Sequence, residues 1–193
     1  MGTGSDRERD DFSLEAEAQV LRDVAEHLSF RRFAVMGPSR GGPVAAAFAL
    51  REPRRVTHLI LYGTGAGPLR DGKTWPHNAS EQHDAEGLLS ELRTPTLVLC
   101  RRGDPFVSPE TARRLASAIK GAKLELLDGE AHLYPVGDVA AIADRINAIT
   151  AGAVGGGRSA QLSPRETEVL RLVAEGARIS RFTPLPTNRH QRT

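Results

Sequence analysis

The chain has one cysteine, no apolar run long enough to cross a membrane, and little excess of either charge. A single thiol, Cys100, cannot form an internal disulfide, and its place at the end of an apolar run indicates a buried thiol in a reducing compartment. The formal net charge of +2 does not suit a dedicated nucleic-acid binder. Because a hydrophobic N-terminal signal segment is also missing, we expect a cytoplasmic protein without membrane contacts.

Internal repeats, clusters of metal ligands and phosphate-binding loops are absent as well. Gly63, Gly65 and Gly67 lie close together, but no helix is predicted directly after them, as a phosphate loop requires. We therefore predict neither a cofactor nor a metal ion. The 193 residues, 39% of them hydrophobic, suffice for one globular core followed by a short tail.

Four apolar segments alternate with amphipathic segments, which predicts an α/β protein with a parallel sheet. The predicted strands are Arg32–Met36, Val56–Tyr62, Thr96–Cys100 and Lys123–Leu127. The predicted helices are Leu14–Leu28, Val44–Leu50, Pro109–Ile119 and Val139–Ile149. Ser13 and Asp138 are the expected N-caps of the first and last helices, and Ser108 precedes the third.

The sequence from Gly37 to Gly42, GPSRGG, lies between the first strand and the second helix. A serine on a sharp strand-to-helix turn needs small residues two positions before and after it, and Gly37 and Gly41 meet that requirement. The Ser39 hydroxyl would lie at a helix N-terminus, where backbone N–H groups and the helix dipole favour developing negative charge. This arrangement suits acyl transfer, so Ser39 is the candidate nucleophile.

A serine nucleophile needs a base and an acid that orients the base, and both follow in the order Ser, acid, His. Asp104 follows the third strand and His132 follows the fourth, so both lie where parallel sheets build their sites. Asp128 and Glu130 are rival acids, although they are close to His132 in sequence. Taken singly, Asp104 could be a turn or capping carboxylate, and His132 a solvated loop histidine.

Residues 13 to 150 resemble the C-terminal part of an α/β-hydrolase. The resemblance is carried by the segments 37–45, 53–56, 59–63, 95–99, 103–104 and 131–132. It implies that Ser39 is the nucleophile, Asp104 the orienting acid and His132 the general base. It also implies that the backbone N–H of Arg40 stabilises the oxyanion.

The family fold has about eight strands, and its first four should precede the helix that starts near Ser13. Only residues 1–12 precede it here, so the loop that donates a second oxyanion N–H is expected to be missing and the activity weak or absent. The strand before Ser39 would have an unpaired edge, which favours self-association. Between Gly63 and Glu91, where the family inserts a lid, Trp75 could line a pocket.

A second resemblance follows the glycine-rich segment 151–157. The segment 162–176, LSPRETEVLRLVAEG, looks like the opening of a LuxR-type helix-turn-helix domain, although one amphipathic helix would also explain it. Prolines at 184 and 186 exclude the recognition helix that such a domain needs. We therefore expect no specific DNA binding by this chain.

These observations predict five segments. They are a disordered N-terminus (1–12), a partial α/β-hydrolase domain (13–150), a glycine-rich linker (151–160), the first helix of a LuxR-type domain (161–177) and an irregular basic tail (178–193). The predicted function is a serine hydrolase acting on a carboxylic ester or similar acyl substrate. The alternatives are a noncatalytic ligand-sensing part of a LuxR-type regulator that has lost DNA binding, and a gene fragment.

Overall fold

The computed structural model describes residues 11, 13–65 and 86–151. These residues form four α-helices and four strands, in the order α1 (Leu14–His27), β1 (Phe33–Pro38), α2 (Gly41–Arg51), β2 (Val56–Tyr62), β3 (Thr96–Arg101), α3 (Pro109–Ala118), β4 (Lys123–Leu127) and α4 (Val139–Thr150). A 3₁₀ helix, Glu86–Glu91, precedes β3. All but residue 11 of the predicted N-terminal tail, all but residue 151 of the glycine-rich linker, Trp75, the LuxR-like helix and the basic tail lie outside the described residues.

The four strands form one parallel sheet in the order β1-β2-β3-β4. Because all three pairings are parallel, all four carboxyl ends lie along the same edge of the sheet. The predicted four parallel strands flanked by helices are confirmed, and β2 and β4 have the predicted bounds.

Both faces of the sheet are covered, as parallel strands require. On one face, residues such as Leu59, Leu61 and Val98 pack against α2 and α3. On the other face, Ile60, Tyr62, Leu97 and Leu99 form a cluster with Ile142 of α4. Helix α1 packs on α2 through a third cluster, made of Leu14, Val44 and Ala47. Successive side chains of β2 and β3 point to opposite faces of the sheet, and both faces are buried. The central parts of these two strands are therefore continuous apolar runs.

The helix starts follow the capping predictions. Ser13 Oγ accepts a hydrogen bond from the Ala16 N–H, Ser108 Oγ from the Thr111 N–H, and Asp138 Oδ1 from the Ala141 N–H. Helix α2 differs, since it begins at Gly41 rather than at the predicted Val44. Its first turn holds two glycines and a proline, which have low helix propensity, but the first N–H groups of a helix have no intrahelical acceptor and proline is tolerated there.

Strand β1 is at the edge of the sheet. It pairs with β2 along one side, and within residues 13–65 and 86–151 no strand pairs with its other side. Ala34 in this strand is exposed. None of the helices in the described part of the chain is long and apolar enough to cross a membrane.

Candidate active site

Ser39 occupies the single turn between β1 and α2. Its φ of +50° places it in the left-handed region, which non-glycine residues seldom adopt. Its N–H donates to the carbonyl oxygen of Tyr62 at 2.9 Å, and its own carbonyl accepts from Gly42 N–H at 3.0 Å. The strained turn is therefore held from both sides, and such strain is concentrated at functional sites.

The glycines around Ser39 differ in how much space there is for a side chain at each position. A Cβ on Gly37 would lie 2.5 Å from the Gly41 carbonyl oxygen and 2.7 Å from Ala45 Cβ, so only glycine fits there. A Cβ on Gly41 would meet only Pro38 Cδ, at an ordinary 3.6 Å. The sequence predicts this steric requirement at Gly41. In the structure the requirement falls on Gly42, where a Cβ would lie 2.5 Å from a side-chain carbon of Thr64.

Asp104 lies in the loop between β3 and α3, and its side chain is fully buried. Its Oδ1 accepts hydrogen bonds from the N–H groups of Phe106 (2.9 Å) and Val107 (3.0 Å). These bonds within the loop fix the carboxylate plane, and they satisfy part of the hydrogen-bonding demand of a buried carboxylate.

His132 lies in the loop between β4 and α4 and contacts both other candidates. Its Nδ1 is 2.9 Å from Asp104 Oδ2 and 3.0 Å from Oδ1, and its Nε2 is 2.9 Å from Ser39 Oγ. The ring of Phe106 packs edge-on against the imidazole at a centroid distance of 5.0 Å. A proton on Nδ1 would be donated to the carboxylate, which leaves Nε2 as the acceptor for the serine hydroxyl.

The rival acid Asp128 does not approach His132 as Asp104 does. Its side chain is 98% exposed and pairs with Arg102 at 3.4 Å. The structure thus brings together Ser39, Asp104 and His132, each of which follows a different strand.

Gly63 was not predicted as a site residue. It follows β2 with a φ of +52°, and a Cβ there would lie 3.2 Å from Asp104 Oδ2 and 3.5 Å from two atoms of the His132 ring. Any side chain would therefore press on the Asp–His pair. In the sequence, Gly63 could have been identified as a site residue by its position directly after an apolar strand, at the carboxyl edge of the predicted sheet.

Two other titratable groups near the site have shifted pKa values. Burial raises the pKa of the Cys100 thiol to about 11, so the thiol is neutral near pH 7 and is a poor nucleophile. Burial also raises the pKa of Tyr62, although the nearby positive charge of Arg101 opposes that shift. Among the described residues, no group of three or more His, Cys, Asp or Glu side chains is placed to hold a metal ion.

Comparison with known families agrees with this architecture. Residues 1–82 match a family model described as the alpha/beta hydrolase fold, and residues 66–148 match a model of TAP-like proteins. Each match covers less than half of the chain, and together they indicate the α/β-hydrolase fold. The described part of the chain is a partial version of this fold, with four parallel strands flanked by helices.

Hydrolases are among the relatives. A 2-hydroxy-6-oxononadienedioate/2-hydroxy-6-oxononatrienedioate hydrolase of Cupriavidus pinatubonensis is 43% identical over 53 residues, which is 28% of this chain and 18% of that protein. The chain thus matches less than a fifth of the length of this curated relative.

Two solved structures share the fold at low sequence identity. A meta-cleavage product hydrolase from Pseudomonas fluorescens superposes with a TM-score of 0.67 at 16% identity, covering 79% of this chain and 77% of that one. The enol-lactonase from Burkholderia xenovorans gives 0.61 at 17% identity, covering 72% and 74%.

Proposed function

We propose that this protein is a serine hydrolase that acts on a carboxylic ester or a similar acyl substrate. The observation that carries the proposal is the continuous hydrogen-bond chain from Ser39 Oγ through the His132 imidazole to the buried Asp104 carboxylate, in which Ser39–His132 and His132–Asp104 are each 2.9 Å. These distances allow direct proton transfer between nucleophile and base.

In the proposed mechanism, Ser39 Oγ attacks the substrate carbonyl carbon while its proton moves to His132 Nε2. Asp104, which does not itself take up the proton, stabilises the imidazolium and keeps the ring in the required tautomer. The imidazolium then donates its proton to the departing alcohol, and an acyl-enzyme remains. Water, deprotonated by His132, hydrolyses that ester and regenerates the serine.

The oxyanion would form beside the N-terminus of α2. The backbone N–H of Arg40, the N-cap of this helix, is the donor that we assign to it, aided by the partial positive charge of the helix N-terminus. A second donor is not assigned in the described part of the chain. Because one such donor contributes roughly 10²–10³ in rate, we expect turnover well below that of a site with two donors.

The relatives suggest which substrates to test first. One relative is named for 2-hydroxy-6-oxononadienedioate, and one protein of similar fold is an enol-lactonase. We therefore propose that the substrate screen should include hydroxy-oxo-dienedioic acids and lactones beside simple esters.

A noncatalytic ligand-sensing role is the alternative proposal. It is favoured by the LuxR-like segment 162–176, because such a segment would couple a ligand-binding hydrolase fold to regulation. Under this proposal a small acyl ligand binds near Ser39 without turnover. Saturable binding by a folded protein that does not react at Ser39 would favour this role.

We also propose self-association along the free edge of β1. An unpaired edge strand offers a row of backbone N–H and C=O groups to a second chain. A lysine in place of the exposed Ala34 should lower the apparent mass in light scattering if this edge is the interface, because charged side chains oppose edge pairing. An unchanged mass distribution would argue against this interface.

The experiment that tests the hydrolase proposal is labelling with a fluorophosphonate, which reacts with activated serines, followed by peptide mass spectrometry. We expect stoichiometric labelling confined to Ser39, lost in Ser39→Ala and after heat denaturation. Ser90→Ala is the matched control, because Ser90 is an exposed serine of the 3₁₀ helix and its loss should leave the labelling rate unchanged. Absence of labelling in a folded protein would reject the hydrolase proposal.

A further inference from the structure

The loop that carries His132 is built around the side chain of Arg101. Arg101 is the last residue of β3, and only 2% of its surface is exposed, which is rare for an arginine. Its Nη1 donates to the carbonyl oxygen of Ala131 at 3.3 Å, and its Nη2 to that of Asp138 at 3.4 Å. The two carbonyls lie on either side of His132 in the β4–α4 loop.

Two glycines let this loop close around the guanidinium. A Cβ on Gly137 would lie 2.8 Å from Arg101 Nη1, and a Cβ on Gly129 would lie 3.4 Å from Arg101 Cδ. Both glycines have positive φ, at +81° and +110°. The path of the loop therefore depends on Arg101 at both of its ends as well as beside His132.

Tyr62 holds the same carbonyl from the neighbouring strand. It is the last residue of β2, and its hydroxyl donates to the Ala131 carbonyl oxygen at 3.4 Å. Its ring also packs edge-on against Tyr134 of the same loop, at 6.5 Å between centroids. At the same time the Tyr62 carbonyl accepts the Ser39 N–H at 2.9 Å. One residue thus contacts both the nucleophile turn and the base loop.

The buried charge of Arg101 needs hydrogen-bond partners. A buried cation is costly unless it is paired, and within the described residues no carboxylate lies at salt-bridge distance from Arg101. The carbonyl oxygens of Ala131 and Asp138 supply hydrogen bonds to the guanidinium instead, and the guanidinium in turn ties these two points of the loop together.

We propose that Arg101 and Tyr62 are positioning residues which, by their shared hydrogen bonds to the Ala131 carbonyl, fix His132 at hydrogen-bond distance from Ser39. The expected effect of these residues on the reactivity of Ser39 rests on the proposed serine-hydrolase function. Their geometric effect, the placement of His132 against Asp104, does not depend on turnover.

The test uses the full chain and two measurements. The first is the rate of fluorophosphonate labelling at Ser39. The second is the low-field proton resonance of His132 Nδ1–H hydrogen-bonded to Asp104, assigned by its loss in His132→Gln. The variants are Arg101→Met, Arg101→Lys and Tyr62→Phe. Arg102→Met is the matched control, since Arg102 is the next residue and its ion pair with Asp128 is exposed.

We expect Arg101→Met to lose or broaden the low-field resonance and to slow labelling on the order of 10²-fold, as misplacement by about 1 Å can. Arg101→Lys should restore part of both signals, because a lysine supplies a donor without the planar fork. Tyr62→Phe, which removes one neutral donor, should slow labelling roughly two- to tenfold. Arg102→Met should match the wild type in both measurements.

A folded Arg101→Met protein with an unchanged resonance and wild-type labelling would overturn the inference. If Arg101→Met does not fold, Tyr62→Phe and Arg101→Lys decide the matter, and wild-type behaviour of both overturns it. A wild-type chain that shows the resonance but does not label rejects the hydrolase proposal alone, and the resonance in the variants still tests the positioning. Absence of the resonance in the folded wild type would overturn the positioning itself.

Discussion

Replacing Asp104 with asparagine separates the chemical role of this residue from its structural role. An asparagine has the same shape, with one oxygen and one NH₂ group. The oxygen is required by the N–H groups of Phe106 and Val107, at 2.9 and 3.0 Å from Asp104 Oδ1. The NH₂ group therefore has to face His132 Nδ1, now 2.9 Å from Oδ2.

The NH₂ group would repel an N–H on Nδ1, and the oxygen at the Oδ1 position, 3.0 Å from Nδ1, already accepts from Phe106 and Val107. We therefore expect His132 to present Nδ1 as an acceptor and to carry its proton on Nε2. In that tautomer the imidazole cannot accept the hydroxyl proton of Ser39. We expect Asp104→Asn to slow labelling and any ester hydrolysis about 10⁴-fold, the effect of holding a catalytic histidine in the wrong tautomer. Because the loop hydrogen bonds remain, the free energy of unfolding should fall by only about 1 kcal/mol.

Asp104→Ala is the informative contrast. It removes the side-chain acceptor of the Phe106 and Val107 N–H groups, of which the second is buried, so the free energy of unfolding should fall by about 2 kcal/mol, in addition to the loss of reactivity. Urea unfolding and fluorophosphonate labelling of the same samples measure both quantities. The double variant of Asp104→Asn with His132→Gln should be no slower than His132→Gln alone, because residues that act as a unit are not additive. Labelling of Asp104→Asn within threefold of the wild-type rate would refute this reasoning.

Three further predictions concern residues around the site. Gly42→Ala should lower the free energy of unfolding by about 1–3 kcal/mol through overpacking, whereas Gly41→Ala should be neutral or slightly stabilising, as urea unfolding would measure. Burial lowers the pKa of His58 from 6.5, so its contribution to stability is present above pH 6.5 and is lost as the pH falls below it. The wild type should therefore lose more stability than His58→Leu between pH 7.5 and 5, and equal losses would contradict this prediction. Cys100, buried and with its pKa raised to about 11, should react with a thiol reagent only after unfolding, and prompt reaction of the native protein would disprove that.

The sheet could be predicted from the sequence because each strand contains a cluster of apolar residues between charged or turn-forming residues. Strands β2 and β4 have the predicted bounds. The start of α2 could not be predicted, because GGP is a poor helix sequence by propensity. There the fold overrides propensity, since the turn at Ser39 and the contact of Gly42 with Thr64 fix the first helical turn.

The candidate triad could be found by its order along the chain, but its surroundings could not. Ser39, Asp104 and His132 each follow an apolar strand, and this placement is visible in a sequence. The close approaches of Gly63 to Asp104 and of Gly137 to Arg101 join residues that are remote along the chain. Arg101 itself resembled a polar loop residue, because an arginine next to another arginine gives no sign that one of them is buried.

The order of the strands explains how a four-stranded sheet can hold the whole constellation. Ser39 follows β1, Gly63 follows β2, Asp104 follows β3 and His132 follows β4. Each strand of the described sheet thus supplies one element of the site from its carboxyl end, and the order β1-β2-β3-β4 places these ends side by side. A strand added at the free edge of β1 would extend the sheet beyond the serine, without separating any member of the triad from its partner. We therefore expect that such additions would affect oxyanion stabilisation and access to the serine, while the Ser–His–Asp geometry depends on the four strands alone.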